Sequence, residues 1–230
     1  MNWVLDNLGL IAELSLEHVR QSVIPVVLGL VCAVPLGWIA WRYRLVRGSL
    51  LTLSGLLYTI PSLALLALLP GILGISILSE VNLLVALTLY AVALLTRSVA
   101  DGFDAVDPDA RLAAVAMGYG PARRFWGVDL PLAGPVILAG LRVAAVSTVS
   151  LATVGVLIGV TNLGYLFTNG LQRRIIPEVL AGVVAVMLIA VIIDLLLVVA
   201  GRLLMPWSSA GARRRAARVR LVASAAEVPA

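Results

Sequence analysis

The sequence predicts an all-α, polytopic membrane protein of about five transmembrane helices, and three observations predict it. Of its 230 residues, 61% are apolar and 13% charged, and mean hydropathy is +1.07. A soluble domain has roughly 45–50% apolar and about 25% charged residues, so one water-soluble core cannot hide this much apolar surface. The apolar residues gather into five segments, four of them about as long as the ~20 residues that cross a bilayer. Threading five spans places 14 of the 17 arginines on one side, the asymmetry that marks a cytoplasmic face. This threading puts the N-terminus outside and the C-terminus inside.

The same composition excludes several classes. All 17 basic residues are arginine, so a P-loop lysine, a Schiff-base lysine and a Ser-Lys dyad are absent from this chain. The single cysteine, Cys32, lies in an apolar run, which leaves neither a disulfide framework nor a cysteine-based metal site. The lone His18 reads as interfacial. A net charge of +5 would suit nucleic acid, but topology explains the arginines, and no nucleic-acid partner is expected.

Three regions follow along the chain: an N-terminal interfacial segment (1–18), a transmembrane domain (19–206) and a basic cytoplasmic tail (207–230). Residues 1–17 have no basic start, and Asp6, Glu13 and Glu17 interrupt the apolar residues, unlike a signal peptide. Val4, Leu5, Leu8, Ile11 and Leu16 recur at helical spacing, with Trp3 at the lipid boundary. The first span, 19–41, carries Pro25 and Pro35, then Trp38 and Trp41 and the run Arg42, Arg44 and Arg47.

The second span, 49–69, contains Tyr58, Thr59, Pro61 and Ser62. Proline leaves a carbonyl without its helical donor, a defect tolerated in a membrane where protein or water re-satisfies it. The cluster is either a broken helix beside a translocation path or a kinked packing helix whose hydroxyls bond their own backbone. The third span, 81–96, ends at Arg97, before Asp101, Asp104, Asp107 and Asp109; these are a solvated face with helix-start chemistry or, alternatively, a metal site. The fourth span, 135–160, presents Ser147, Ser150 and other small or hydroxylated residues, which suit close helix packing or a path. Arg142 near its inner end snorkels or pairs. In the fifth span, 179–204, Asp194 is a proton site or the partner of a neighbouring arginine. The tail arginines Arg213, Arg214, Arg215, Arg218 and Arg220 suit contact with anionic lipid.

Residues 107–131, a polar island between apolar segments, are the most patterned stretch. Asp107 is an N-cap, Pro108 suits the first helical position, and residues 110–117 favour helix. Gly118 is placed to end that helix in a left-handed conformation. Gly120-Pro121 then reopens the chain into a second short helix with Arg123, Arg124, Phe125 and Trp126. Ala113-Ala114, Gly118, Val128 and Leu130-Pro131 stand at spacings that resemble the E-A-A loop of ABC-importer permeases. The departure is Leu112, where that loop has its glutamate. The string I-P-S-L-A-L-L from Ile60 and the segment I-G-V-T-N-L-G from Ile158 resemble permeases of osmoprotectant (glycine betaine, carnitine, choline) uptake. In the second, Val160-Thr161-Asn162 departs from the family's glycines.

The resemblance implies a type I ABC importer permease fold in a bacterial plasma membrane, with 107–131 as a cytoplasmic coupling loop. Ala113, Ala114, Gly118, Arg123, Arg124, Leu130 and Pro131 would face an ABC ATP-binding subunit. That partner would hold ATP and magnesium; this chain would carry no cofactor, metal or catalytic residue. Tyr58, Thr59, Pro61, Ser62, Ser147 and Ser150 are candidates for the path. A second permease copy or a sister permease, an extracytoplasmic binding protein and membrane lipid complete the implied partners. Competing readings are an importer for another small solute such as methionine, an ion-coupled secondary transporter, or a structural membrane protein.

Overall fold

A computed structural model describes residues 2–207, and among these all regular structure is helical. The tail arginines lie outside the described residues. The architecture is built around α5 (Glu80–Asp104), which packs against α2 (Leu8–Arg42), α3 (Arg44–Thr59), α4 (Ser62–Leu73) and α8 (Leu130–Ala152). The hub role follows from its sequence. Of its most apolar 18 residues 56% are buried, against 6% in α10 (Ile176–Leu204). Ala86, Ala91, Ala93 and Ala100 let neighbouring backbones approach it. Where α2 crosses α5 it offers glycines: a Cβ at Gly29 would come within 2.5 Å of Ala91 Cβ, and one at Gly37 within 2.6 Å of Val99. This is the small-residue contact by which membrane helices associate without a hydrophobic drive between them.

Four helical stretches are long and apolar enough to cross a membrane: α2, α5, the run Pro121–Ile158 that contains α8, and α10. A fifth comes from the pair α3–α4, bent by 108°. The expected five spans are therefore present, with altered boundaries. Helix α2 begins at Leu8, with no break where the interfacial segment was expected to end, because Leu14, His18, Gln21 and Ser22 continue one buried face. The short α1 (Asn2–Asp6) precedes it. His18, read as interfacial, is wholly buried in the bundle.

The second span is two helices. Pro61 ends α3, and the Ile60 carbonyl freed at the break accepts from the Tyr90 hydroxyl of α5. Thr59 Oγ1 donates to the Leu56 carbonyl at 2.7 Å, so the helix is broken and its hydroxyl also serves its own backbone. The third span runs eight residues beyond Thr96, which places Asp101 and Asp104 on the last turns of α5. There Asp104 takes Arg47 at 2.6 Å and Asp101 lies 3.8 Å from it.

At the far end of α8 the chain tightens into a 3-10 turn, Thr153–Ile158, and reverses at Gly159 (φ 79°). It then forms α9 (Gly164–Gln172), which packs on α10. One end of the bundle thus collects Arg42, Arg44, Arg47 and the 107–131 knob, and the opposite end collects α9 and the Arg20–Glu80 ion pair.

Candidate functional site

The knob begins where local chemistry says it should. Asp107 caps α6 (Pro108–Ala116) by accepting from the Asp109 N–H at 2.8 Å. At the other end Gly118 sits at φ 80°, Gly118 N–H bonds the Val115 carbonyl at 2.9 Å, and Tyr119 N–H bonds the Ala114 carbonyl at 3.0 Å. The pair of bonds is a Schellman closure, which satisfies two orphan carbonyls and requires a left-handed residue.

After the elbow the structure departs from expectation. α7 (Pro121–Arg124) is a single turn, and it passes through the π-helical turn Phe125–Asp129 directly into α8. The second half of the knob is therefore the end of a membrane helix, not a separate short helix.

That junction is held by Asp129, whose side chain is only 3% exposed. It accepts from Arg111 Nε at 2.8 Å and from Arg124 Nε at 3.3 Å. Arg111 also donates to the carbonyls of Val106 and Phe103 and lies 4.6 Å above the Trp41 ring. One guanidinium thus ties α6 to the end of α5, to α2 and to the start of α8. Phe125 packs edge-on against Trp38, at 6.1 Å, and tilted on Phe103, at 5.8 Å. The knob is anchored to the bundle by a buried charge knot and an aromatic cluster.

Of the residues expected at the coupling surface, Ala113, Gly118 and Arg123 are exposed. Arg123 stacks 4.5 Å above Tyr119. Ala114 is buried against the knob's own core, Leu130 and Pro131 are half-buried, and Arg124 points inward to Asp129. Sequence reasoning missed the exposed apolar side chains beside them, Leu112 (67% exposed) and Met117 and Trp126 (both 68%), at an arginine-rich end of the bundle. Leu112 stands at the place of the usual glutamate, and Trp126 also lines a groove with Val34 and Trp38 of α2.

The path candidates fall into two groups. Tyr58, Thr59, Pro61 and Ser62 gather at the α3–α4 break, where Tyr58 lies edge-on to Tyr90 at 5.9 Å. Ser147 and Ser150 lie on α8, Ser147 half-buried and Ser150 exposed. On α8 near them, Arg142 makes a bidentate ion pair with Asp194 of α10, with Nε–Oδ1 and Nη2–Oδ2 both 2.7 Å. Pairing is thus one of the two roles expected for each residue.

A second polar group, also missed, lies toward the opposite end. Asn162 Nδ2 donates to Gln21 Oε1 at 2.9 Å and to the Ala152 carbonyl at 2.8 Å, while its Oδ1 receives the Gly164 N–H at 2.8 Å. Gln21 Nε2 donates to the Thr161 carbonyl at 3.2 Å, and His18 Nε2 lies 3.0 Å from the Val149 carbonyl. The residue that departs from the family's glycines, Asn162, therefore stitches α2, α8 and α9 together. The available signal was the spacing His18, Gln21, Ser22, one helical face inside an apolar run.

Comparison with known proteins supplies the family. Residues 26–210 match the model of the binding-protein-dependent transport system inner membrane component. The choline transport system permease protein OpuBB of Bacillus subtilis is 34% identical over 206 residues, 90% of this chain and 94% of that protein. The glycine betaine/carnitine/choline transport system permease protein OpuCB of the same organism is 32% identical over the same shares. Among solved structures, the inward-facing MetNI methionine ABC transporter superposes with a TM-score of 0.69, covering 86% of this chain and 95% of that one at 21% identity. With the family model matched over residues 26–210 and relatives above 30% identical over most of the chain, this protein belongs to the family of inner-membrane components of binding-protein-dependent ABC importers.

Proposed function

We propose that the chain is the permease of an ATP-driven importer of compatible solutes such as glycine betaine, carnitine or choline. The observation that carries the coupling is the continuous helical run Pro121–Ile158, π and 3-10 turns included, through which a push on the knob reaches the membrane with no loop to absorb it. In this reading Leu112, Met117, Gly118, Arg123 and Trp126 dock on an ABC ATP-binding subunit in the cytoplasm. ATP-driven closure of two such subunits tilts α8 and the helices packed on it between inward and outward access. A second permease copy or a sister permease completes the passage.

The solutes for which the relatives are named support the solute class. The poverty of aromatic cages supports leaving high-affinity selection to an extracytoplasmic binding protein. Quaternary ammonium groups are commonly held by aromatic faces, and here Trp38, Trp41 and Phe125 are engaged in packing the knob. Tyr58 and Tyr90 are the aromatic pair left at the hinge.

The test is reconstitution of this chain with its ATP-binding and binding-protein partners in proteoliposomes. Labelled betaine, choline and methionine are then followed with ATP. ATP-dependent uptake of betaine or choline is expected. Methionine uptake without either would overturn the solute class, and uptake by this chain alone on an ion gradient would overturn the importer.

A further inference from the structure

Arg142 and Asp194 are placed where a purely structural pair has no need to be. Both lie within helices that cross the membrane, 12 residues into α8 and 10 residues before the end of α10. Yet their side chains remain 41% and 29% exposed. Charges within a span are tolerated facing protein or a water-filled cavity, or near a helix end reaching the interface, but not facing hydrocarbon. Their surroundings on α8 point the same way. Arg142, Val146 and Ser150 follow at four-residue steps and so share one face, with Ser147 three residues from Ser150 at its edge. Val146 is 39% exposed, and the hydroxyls of Ser147 and Ser150 donate to no group among the described residues. The pair borders the apolar cleft that α8 and α10 form with α2 through Val26, Leu141, Ala145 and Ile193.

The ion pair uses Arg142 Nε and Nη2 and leaves Nη1 free to bond among the described residues. Each carboxylate oxygen of Asp194 takes one hydrogen bond and keeps a lone pair.

We propose that the Arg142–Asp194 pair is a solute-matching site in the passage. The guanidinium receives the carboxylate of a zwitterionic solute, and the Asp194 carboxylate faces its quaternary ammonium. The proposal rests on the reading of the chain as a compatible-solute permease and adds what distinguishes zwitterions from plain cations. A fixed dipole at the wall suits both ends of a betaine, whereas choline has only the cationic end to offer. The site is a weak one by construction, since each charge is already partnered, and passage requires release.

The experiment uses the complete reconstituted transporter. Arg142→Gln is expected to lower betaine uptake at least about tenfold, the factor for losing one charge-assisted hydrogen bond, with choline uptake far less affected. Asp194→Asn should lower both. The neutral double variant, which leaves no uncompensated charge, should still fail on betaine; its recovery would mean that the pair is only structural and would overturn the proposal. An independent reading comes from Val146→Cys in a Cys32→Ser background, treated with a cationic, water-soluble thiosulfonate. Labelling slowed by betaine supports the site, and no labelling means that lipid or a second copy covers this face, which overturns it. If the wild-type transporter moves neither betaine nor choline while Val146→Cys still labels, the solute class fails and the wetted face stands. Slowed labelling by whichever solute it does move would then support the site, and unchanged labelling would overturn it.

Discussion

Asp129 holds two arginines in a nearly dry junction, and it is the side chain whose loss should be felt furthest. Removing one member of a buried charge group leaves the others uncompensated, which costs about 3–5 kcal/mol. Asp129→Ala should therefore lower thermal stability in detergent sharply, whereas the exposed Glu13→Ala should stay within about 0.5 kcal/mol. Gly118 tests a different property. At φ 80° a leucine pays about 1–2 kcal/mol for its Cβ, while asparagine tolerates the left-handed region. A Cβ there meets open space within the chain, so the damage would come from the backbone and from the docked partner. Gly118→Leu should leave membrane insertion intact but separate ATP hydrolysis from solute uptake; Gly118→Asn should keep most of the coupling. Residues such as Asp107, Pro108 and Gly118 were legible in the sequence because their bonds close within a few positions. The Arg111–Asp129 pair spans 18 positions and the Gln21–Asn162 pair 141. No local pattern records those distances.

The α3–α4 pair shows how much an element depends on a neighbour. Its break was legible, since Pro61 must free a carbonyl. What the proline could not reveal is that Tyr90, 30 residues beyond Ile60, would bond the Ile60 carbonyl left between the two helices. Tyr90→Phe removes that donor while keeping the ring, so a loss of about 1 kcal/mol is expected, the net worth of one hydrogen bond. Fluorescence-monitored unfolding in detergent would measure it, and an unchanged midpoint would show that the hinge does not need the bond. The helix α5 runs beyond its expected span for an electrostatic reason. Charged residues at a helix end look like a loop in a hydropathy profile, but Asp101 and Asp104 remain helical because Arg47 takes up their charge.

For the whole molecule, the number of spans and the asymmetry of arginine were readable because lipid imposes them on any sequence that crosses it. The packing order was not, since α5 becomes the hub through alanines that hydropathy cannot distinguish from lipid-facing ones. Orientation has a direct check in intact cells, in a Cys32→Ser background with an impermeant thiol reagent. Leu78→Cys, beside the start of α5, should label, and Ala116→Cys on the knob should not. The reverse pattern would invert the whole arrangement and remove the knob from the ATP-binding side.

The π-helical turn at Phe125–Asp129 gives the spacing of the loop a second meaning. Such a turn holds one residue more than the α-helix around it. The helical turn Pro121–Arg124 before it is thereby rotated by about 100° about the α8 axis, the angle of one residue in a 3.6-residue turn. The nine residues between Gly118 and Val128 consequently set an angle as well as a length, like the key on a shaft. Deleting Gly127 would shorten the rod by only about 1.5 Å, one residue's rise. It would nevertheless turn Arg123 away from its bearing on the partner while Leu112 stays with Arg111 on the bundle, so the expected variant inserts in the membrane and turns nothing.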